Sequence, residues 1–189
     1  NMPFYGLAEV KVAGRSCVIS QSGFSGEAGY EIYLRDATLY ADDMWNAVLE
    51  VGKKHQLMVI APAHHRRIQA GILSWGQDMD QQHNPYQCNL GYQVSLSGKG
   101  EWNKTSDYVG KAALEKMGKE LKDGKKPYAL QLVGFEMGGK PIDDYAPDFW
   151  LISNESGGDP VGFITSPWWH PEKKTNIAMG YVPFDGTLN

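Results

Sequence analysis

The sequence predicts an α+β fold that ends in a small antiparallel β-barrel, and three observations lead there. Residues 1–127 alternate strand-like runs with segments of helical periodicity. "KDGKKP" then reads as a linker. Beyond it, "YALQLVGFEM", "FWLIS", "VGFIT" and "IAMGYV" are short strands punctuated by Gly, Pro and Asp, the pattern of a small barrel or sandwich. The chain therefore divides into domains 1–127 and 128–189.

Element by element, "AEVKVAGRSCVIS" gives two short strands around Gly14, a hairpin. "GFSG" is a turn and "YEIYL" the next strand. Asp36 is placed to cap a helix over about residues 38–51. Met44, Trp45, Val48 and Leu49 recur there at helical spacing, Asp42 and Asp43 sit near its positive end, and Gly52 closes it. "LMVI" reads as a short buried strand. Pro62 opens a second helix, where its missing N–H costs little, and that helix carries "AHHRRIQAGIL" to near Gly76. "GQDMDQQHNPYQ" is polar and loop-like, "GYQVSL" reads as a strand, and Asp107 caps a helix over "DYVGKAALEKMGKEL".

Composition narrows the function classes. With 42% apolar and 21% charged residues, 189 residues can pack a core, which argues against wholesale disorder. A net charge of −4 argues against a nucleic-acid surface, and the densest basic stretch, "KMGKELKDGKK", is mixed in sign. No apolar run approaches the roughly 20 residues that span a bilayer. Cys17 and Cys88 fit no CxxC or zinc spacing; free thiols in a reducing, cytoplasmic compartment are expected, with a disulfide between them left open. His64 and His65 point about 100° apart on a helix, and nothing at useful spacing completes a metal site. "NMPFYGLAEV" has no charged n-region and reads like the middle of a domain, and "YVPFDGTLN" stops just after a strand, so the chain reads as a fragment at both ends.

One residue stands out. In "GFSGEAGYEIYL", strand alternation puts Gly29, Glu31 and Tyr33 on one face and Tyr30, Ile32 and Leu34 on the other. On the pattern alone, Glu31 reads as a solvent-facing residue of an amphipathic strand. Glu27, after a turn, reads as exposed.

"SGFSGEAGYEIYL", "RRIQAGILSWGQDMD", "NPYQCNLGYQVSL", "DYVGKAAL", "LVGFEM" and "GFITSPWW…NIAMGYV" occur in this order. Together they resemble the glycine-cleavage T-protein family, the tetrahydrofolate-dependent aminomethyltransferases and their demethylase relatives. The resemblance covers nearly the whole chain, as the downstream part of such a protein. It implies a partial folate-binding aminomethyltransferase domain ahead of the β-barrel. It also implies that the catalytic aspartate lies in an upstream half, so no residue here is assigned as catalytic.

The resemblance reverses the reading of Glu31, since the glutamate of the family's "GYEI" motif holds the pterin ring of tetrahydrofolate. A carboxylate offers two acceptor oxygens to the adjacent N–H donors of a pterin edge. Gly29 would leave room for the flat ring. Tyr30, Ile32 and Leu34 would then face the core. Arg67 matches the arginine just before "IQAG". Either it faces the site, steadying Glu31 or meeting an anionic group, or it forms a structural ion pair. The aminomethyltransferases carry a further arginine at the start of this helix, where this chain has Ala63; demethylase relatives depart here too. Tyr92 stands where these enzymes place a tryptophan near folate, and Phe24 at an aromatic position of the turn motif; packing alone would account for either. Trp75, Trp168 and Trp169 read as core or interdomain contacts.

The resemblance implies transfer of a one-carbon unit to tetrahydrofolate. The donor is a lipoyl carrier protein bearing an aminomethyl group or, in the demethylase alternative, a small sulfonium or methoxy compound. A further alternative is a non-catalytic folate-binding protein. Such relatives carry a reactive cysteine where this chain reads "LSWGQDMD". The chain alone is expected to be inactive, its partner being the upstream half of the same protein.

Overall fold

The computed structural model describes residues 2–96, 106–146 and 148–185. The chain forms two compact units, Asn1–Ile72 and Leu73–Asn189, and the fold is mixed α and β.

In the first unit, β1 (Leu7–Val12) and β2 (Arg15–Ser20) form the expected hairpin. Ala13 and Gly14 turn it with φ of 47° and 77°, the left-handed pair that a two-residue hairpin turn requires. β3 (Glu31–Leu34) pairs antiparallel with the other side of β2, giving the order β1-β2-β3. Arg35 and Asp36 lead into α1 (Ala37–Gly52). Asp36 occupies the capping position, but its φ of 53° is left-handed and its side chain makes no cap bond. Side-chain capping needs an extended residue at this point. Arg15 seats α1 on the Cys17 face of the sheet: its guanidinium lies 3.8 Å over the Tyr40 ring and 3.0 Å from Asp43. Asp43 thus works as an ion-pair partner, and the first turn of α1 holds no acidic residue. Met44 is buried, whereas Trp45 is exposed.

"LMVI" departs from expectation. Leu57, Met58, Val59 and Ile60 are exposed and not in a strand. A short apolar run becomes a buried strand only where a sheet receives it, and none does among the described residues. α2 (His64–Gln69) is also shorter than expected. Gly71 takes a φ of 70°, the left-handed reversal that ends helices, well before Gly76.

In the second unit, "GYQVSL" forms a single 3₁₀ turn, Gly91–Gln93, followed by extended chain rather than a strand. α3 (Lys111–Lys122) is capped by Gly110 in a left-handed conformation, φ 89°, and not by Asp107, whose carboxylate accepts from the adjacent Tyr108 N–H. β4 (Leu130–Met137), β5 (Trp150–Ser153), β6 (Pro160–His170) and β7 (Thr175–Pro183) form an antiparallel sheet in the order β4-β7-β6-β5. Among the described residues this sheet is open, with β4 and β5 as its edges; closing a barrel would require those two edges to pair. Leu132, Ile164, Ile177, Ala178, Met179, Tyr181 and Phe184 are buried in its core.

The register between β6 and β7 shifts between Ile164 and Ser166. This bulge lets two consecutive hydroxyls, those of Thr165 and Ser166, reach one side of the strand, where both donate to Oδ1 of Asp78. Asp78 is 1% exposed, and its other carboxylate oxygen accepts from the Ser74 N–H at 2.8 Å. The "NPYQCN" loop is laced to β4 in the same manner. Gln131 donates to the carbonyls of Tyr86 and Gln87, and Asn89 donates to the carbonyl of Leu132. Cys17 and Cys88 are both buried free thiols. No helix among the described residues is long and apolar enough to cross a membrane.

Candidate functional site

The register of β2 and β3 sets Ser20 opposite Glu31 and Val18 opposite Tyr33, so Glu31 and Tyr33 share a face, as alternation requires. That face is open: Glu31 and Tyr33 are both exposed. The opposite face is covered less than expected. Leu34, opposite buried Cys17, is half-buried, whereas Ile32 and Tyr30 are exposed. Helix α1 begins two residues beyond Arg35 and is tied to the Arg15 end of β2 through Tyr40 and Asp43.

Glu31 is held in place. Ser22 Oγ and the Tyr33 hydroxyl both donate to its Oε2, the latter at 3.1 Å. Ser22 Oγ lies 2.8 Å from Ser20 Oγ, and Ser20 is buried. A chain of polar groups thus runs from buried Ser20, on the same face, through Ser22 to the carboxylate. Among the described residues Oε1 takes no hydrogen bond. The hydrogen bond to Glu31, with its negative charge, raises the Tyr33 pKa above the ordinary 10.0, which keeps the phenol a donor. Space is open beside Gly29: a Cβ built there would meet only the Glu27 carbonyl oxygen, at 3.9 Å.

The "GFSG" turn packs on the end of α2. Gly26 has a φ of 76°, and a Cβ there would stand 2.4 Å from Ala70 Cβ, so only glycine fits. Phe24, half-exposed, lies over the Arg67 guanidinium at 5.9 Å. Arg67 is 1% exposed; it donates from Nε to His64 Nδ1 at 3.4 Å and from Nη1 to the Ile72 carbonyl at 3.1 Å. The neighbouring Arg66 points outward and pairs with Glu27 at 3.0 Å, so the exposed Glu27 has a cationic partner. Ser25, Gly26, Glu27, Arg66, Gln69 and Ala70 line a small cleft there. Ala63 caps α2 in an extended conformation.

Phe24 and Arg67 are therefore brought together, and Glu31 stands with Tyr33 on β3 and with Ser22 from the segment before it. Tyr92 belongs to the other unit, in the Gly91–Gln93 turn, where it is 82% exposed and its hydroxyl accepts from Gln93. Trp75 is exposed rather than core, and Trp168 and Trp169 are half-buried, the former edge-on to Tyr145. Sequence reasoning missed Ser22. Its place nine residues before Glu31, across a tight glycine-rich turn, was the available signal.

An exposed carboxylate with one oxygen fixed and one open, beside room for a flat group, can accept hydrogen bonds from a planar donor edge.

Comparison with known proteins agrees with this architecture. The family model described as the GCVT N-terminal domain matches residues 1–98 of the 189. An aminomethyltransferase of Caldanaerobacter subterraneus subsp. tengcongensis is 29% identical over 95% of this chain and 43% of its own length. The dimethylsulfoniopropionate demethylase DmdA of Ruegeria pomeroyi is 31% identical over 96% of this chain and 45% of its own length. The crystal structure of the glycine cleavage system aminomethyltransferase T of Bartonella henselae superposes with a TM-score of 0.66 at 24% identity, covering 88% of this chain and 42% of that one, which shows the shared fold. The chain spans less than half the length of these relatives. With its family model matched over more than half of its residues, the chain belongs to the GCVT, or glycine-cleavage T-protein, family of aminomethyltransferases and related demethylases.

Proposed function

We propose that this chain is part of a tetrahydrofolate-dependent one-carbon transferase in which Glu31 holds the pterin. The observation that carries the reading is the Glu31 carboxylate, oriented through Oε2 with Oε1 open, next to the free space at Gly29. The residues present fit the group: an oriented carboxylate whose Oε1 is open suits an N–H of the pterin edge, and a glycine flank admits a flat ring. When bound, tetrahydrofolate supplies a ring nitrogen that accepts a one-carbon unit. The role of this chain is to bind and orient; positioning can account for much of such a rate. The acid–base group would come from the upstream half of the same protein.

The favoured donor is an aminomethyl group on a lipoyl carrier protein. A second reading, demethylation of a small sulfonium or methoxy compound, is supported by Ala63 at the helix start and by the likeness to the demethylase DmdA.

The test is direct. Full-length protein is incubated with tetrahydrofolate and either aminomethyl-lipoyl carrier or dimethylsulfoniopropionate, and the folate product is analysed. Methylene-tetrahydrofolate from the carrier alone supports the first reading, and methyl-tetrahydrofolate from the sulfonium compound supports the second. Binding without consumption of either donor would point to a non-catalytic folate protein. E31Q should weaken tetrahydrofolate binding about tenfold to a hundredfold, the range for losing hydrogen bonds to a charged group; unchanged binding would refute the role of Glu31.

A further inference from the structure

We infer that Ser22 and Tyr33 are positioning residues that set the Glu31 carboxylate for its ligand. The inference rests on the proposed folate-binding role of Glu31.

Glu31 is exposed on an edge strand, where a glutamate otherwise samples many rotamers. Two hydroxyls remove that freedom. Ser22 reaches Oε2 from the turn before β3, and Tyr33 reaches the same oxygen from two residues along the strand. Ser22 is itself anchored on buried Ser20, the residue paired with Glu31 across the sheet. Both donors converge on one oxygen, and the other is left with its acceptor capacity whole. A carboxylate has about four lone-pair directions, so two remain at Oε1 in a fixed plane. A ligand that donates an N–H to Oε1 then meets a carboxylate already oriented, which lowers the ordering cost of binding. Ser22 and Tyr33 need not touch the ligand for this effect.

The experiment measures tetrahydrofolate dissociation constants by titration calorimetry on the full-length protein. The variants are S22A, S22T, Y33F and E31Q, with S22A and Y33F repeated in the E31Q background, and the melting temperature of each is recorded. S22A and Y33F should each weaken binding about three- to tenfold, as expected for one hydrogen bond. S22T should restore near wild-type affinity. In the E31Q background both substitutions should have little further effect, because the group they orient is gone. Equal losses in the two backgrounds would mean that the residues act on general structure, and would overturn the inference. It would equally be overturned if E31Q lost affinity while S22A and Y33F bound within about twofold of wild type. Equal binding by E31Q and wild type would instead overturn the folate-binding role of Glu31, and the inference with it.

Discussion

The hydroxyl of Tyr181 donates to the main-chain carbonyl of Asp78 at 2.7 Å, across 103 residues of sequence. Both residues are fully buried, and the Asp78 carboxylate gathers the hydroxyls of Thr165 and Ser166 and the N–H of Ser74 around it. This knot ties the loop after Trp75 to β6 and β7. Asp78→Ala would strand those donors in the interior, at about 1–3 kcal/mol for each orphaned group. The expected result is a loss of about 3 kcal/mol or more in denaturant unfolding, against about 1–2 kcal/mol for Y181F, which removes the bonds to the Asp78 carbonyl and to Cys88 Sγ. A loss below about 1 kcal/mol for Asp78→Ala would show that the knot contributes little.

Stability should fall in alkali. Burial raises the Cys88 thiol above its ordinary 9.0, and raises Tyr181 strongly above 10.0. Tyr86 and Tyr128 are raised by burial as well, and Tyr33 by its bond to Glu31. The folded state holds these protons more tightly than the unfolded chain. The stabilisation is therefore complete below the ordinary values and is lost as pH climbs through the raised ones. Urea midpoints should be flat through neutral pH and drop above about pH 9, with a shallower drop in Y181F. Equal slopes for wild type and Y181F would remove Tyr181 from the explanation.

Adjacent arginines on α2 should behave differently. Arg67 is buried and serves His64 and the Ile72 carbonyl, so Arg67→Ala should cost about 3 kcal/mol through lost hydrogen bonds and a cavity. Arg66 makes an exposed pair with Glu27, and Arg66→Ala should cost under about 1 kcal/mol. Thermal melts of the two variants, compared side by side, give the ranking. A larger effect at Arg66 would contradict it.

Residues Leu57 to Ile60 expose a run of apolar surface on the 189-residue chain. Such patches promote association. Met58→Lys with Ile60→Lys should lower binding of a hydrophobic dye and raise the soluble fraction of this chain at high concentration. Unchanged dye binding would place the sticky surface elsewhere.

Local chemistry alone determined much of this protein. The Ala13–Gly14 hairpin, the β3 face shared by Glu31 and Tyr33, the strands β4 to β7 and the helices α1 and α3 follow from turn residues and alternation within a few positions of each other. The family was legible for the same reason, since ordered short motifs survive in the string itself.

Tertiary structure decided what depends on distant partners. "LMVI" has strand composition yet lacks a sheet to join among the described residues. Whether the second sheet closes depends on its edge strands, and among the described residues β4 and β5 pair only inward. Asp78 looked like a loop acidic residue because its partners Thr165 and Ser166 stand 87 and 88 positions away, and only a bulge in β6 turns both toward it. The pinning of Glu31 by Ser22 spans only nine residues, but it depends on how the intervening turn folds back. Propensity and periodicity describe a few neighbouring residues, whereas a hydrogen-bond network is set by which remote segments the folded chain packs together.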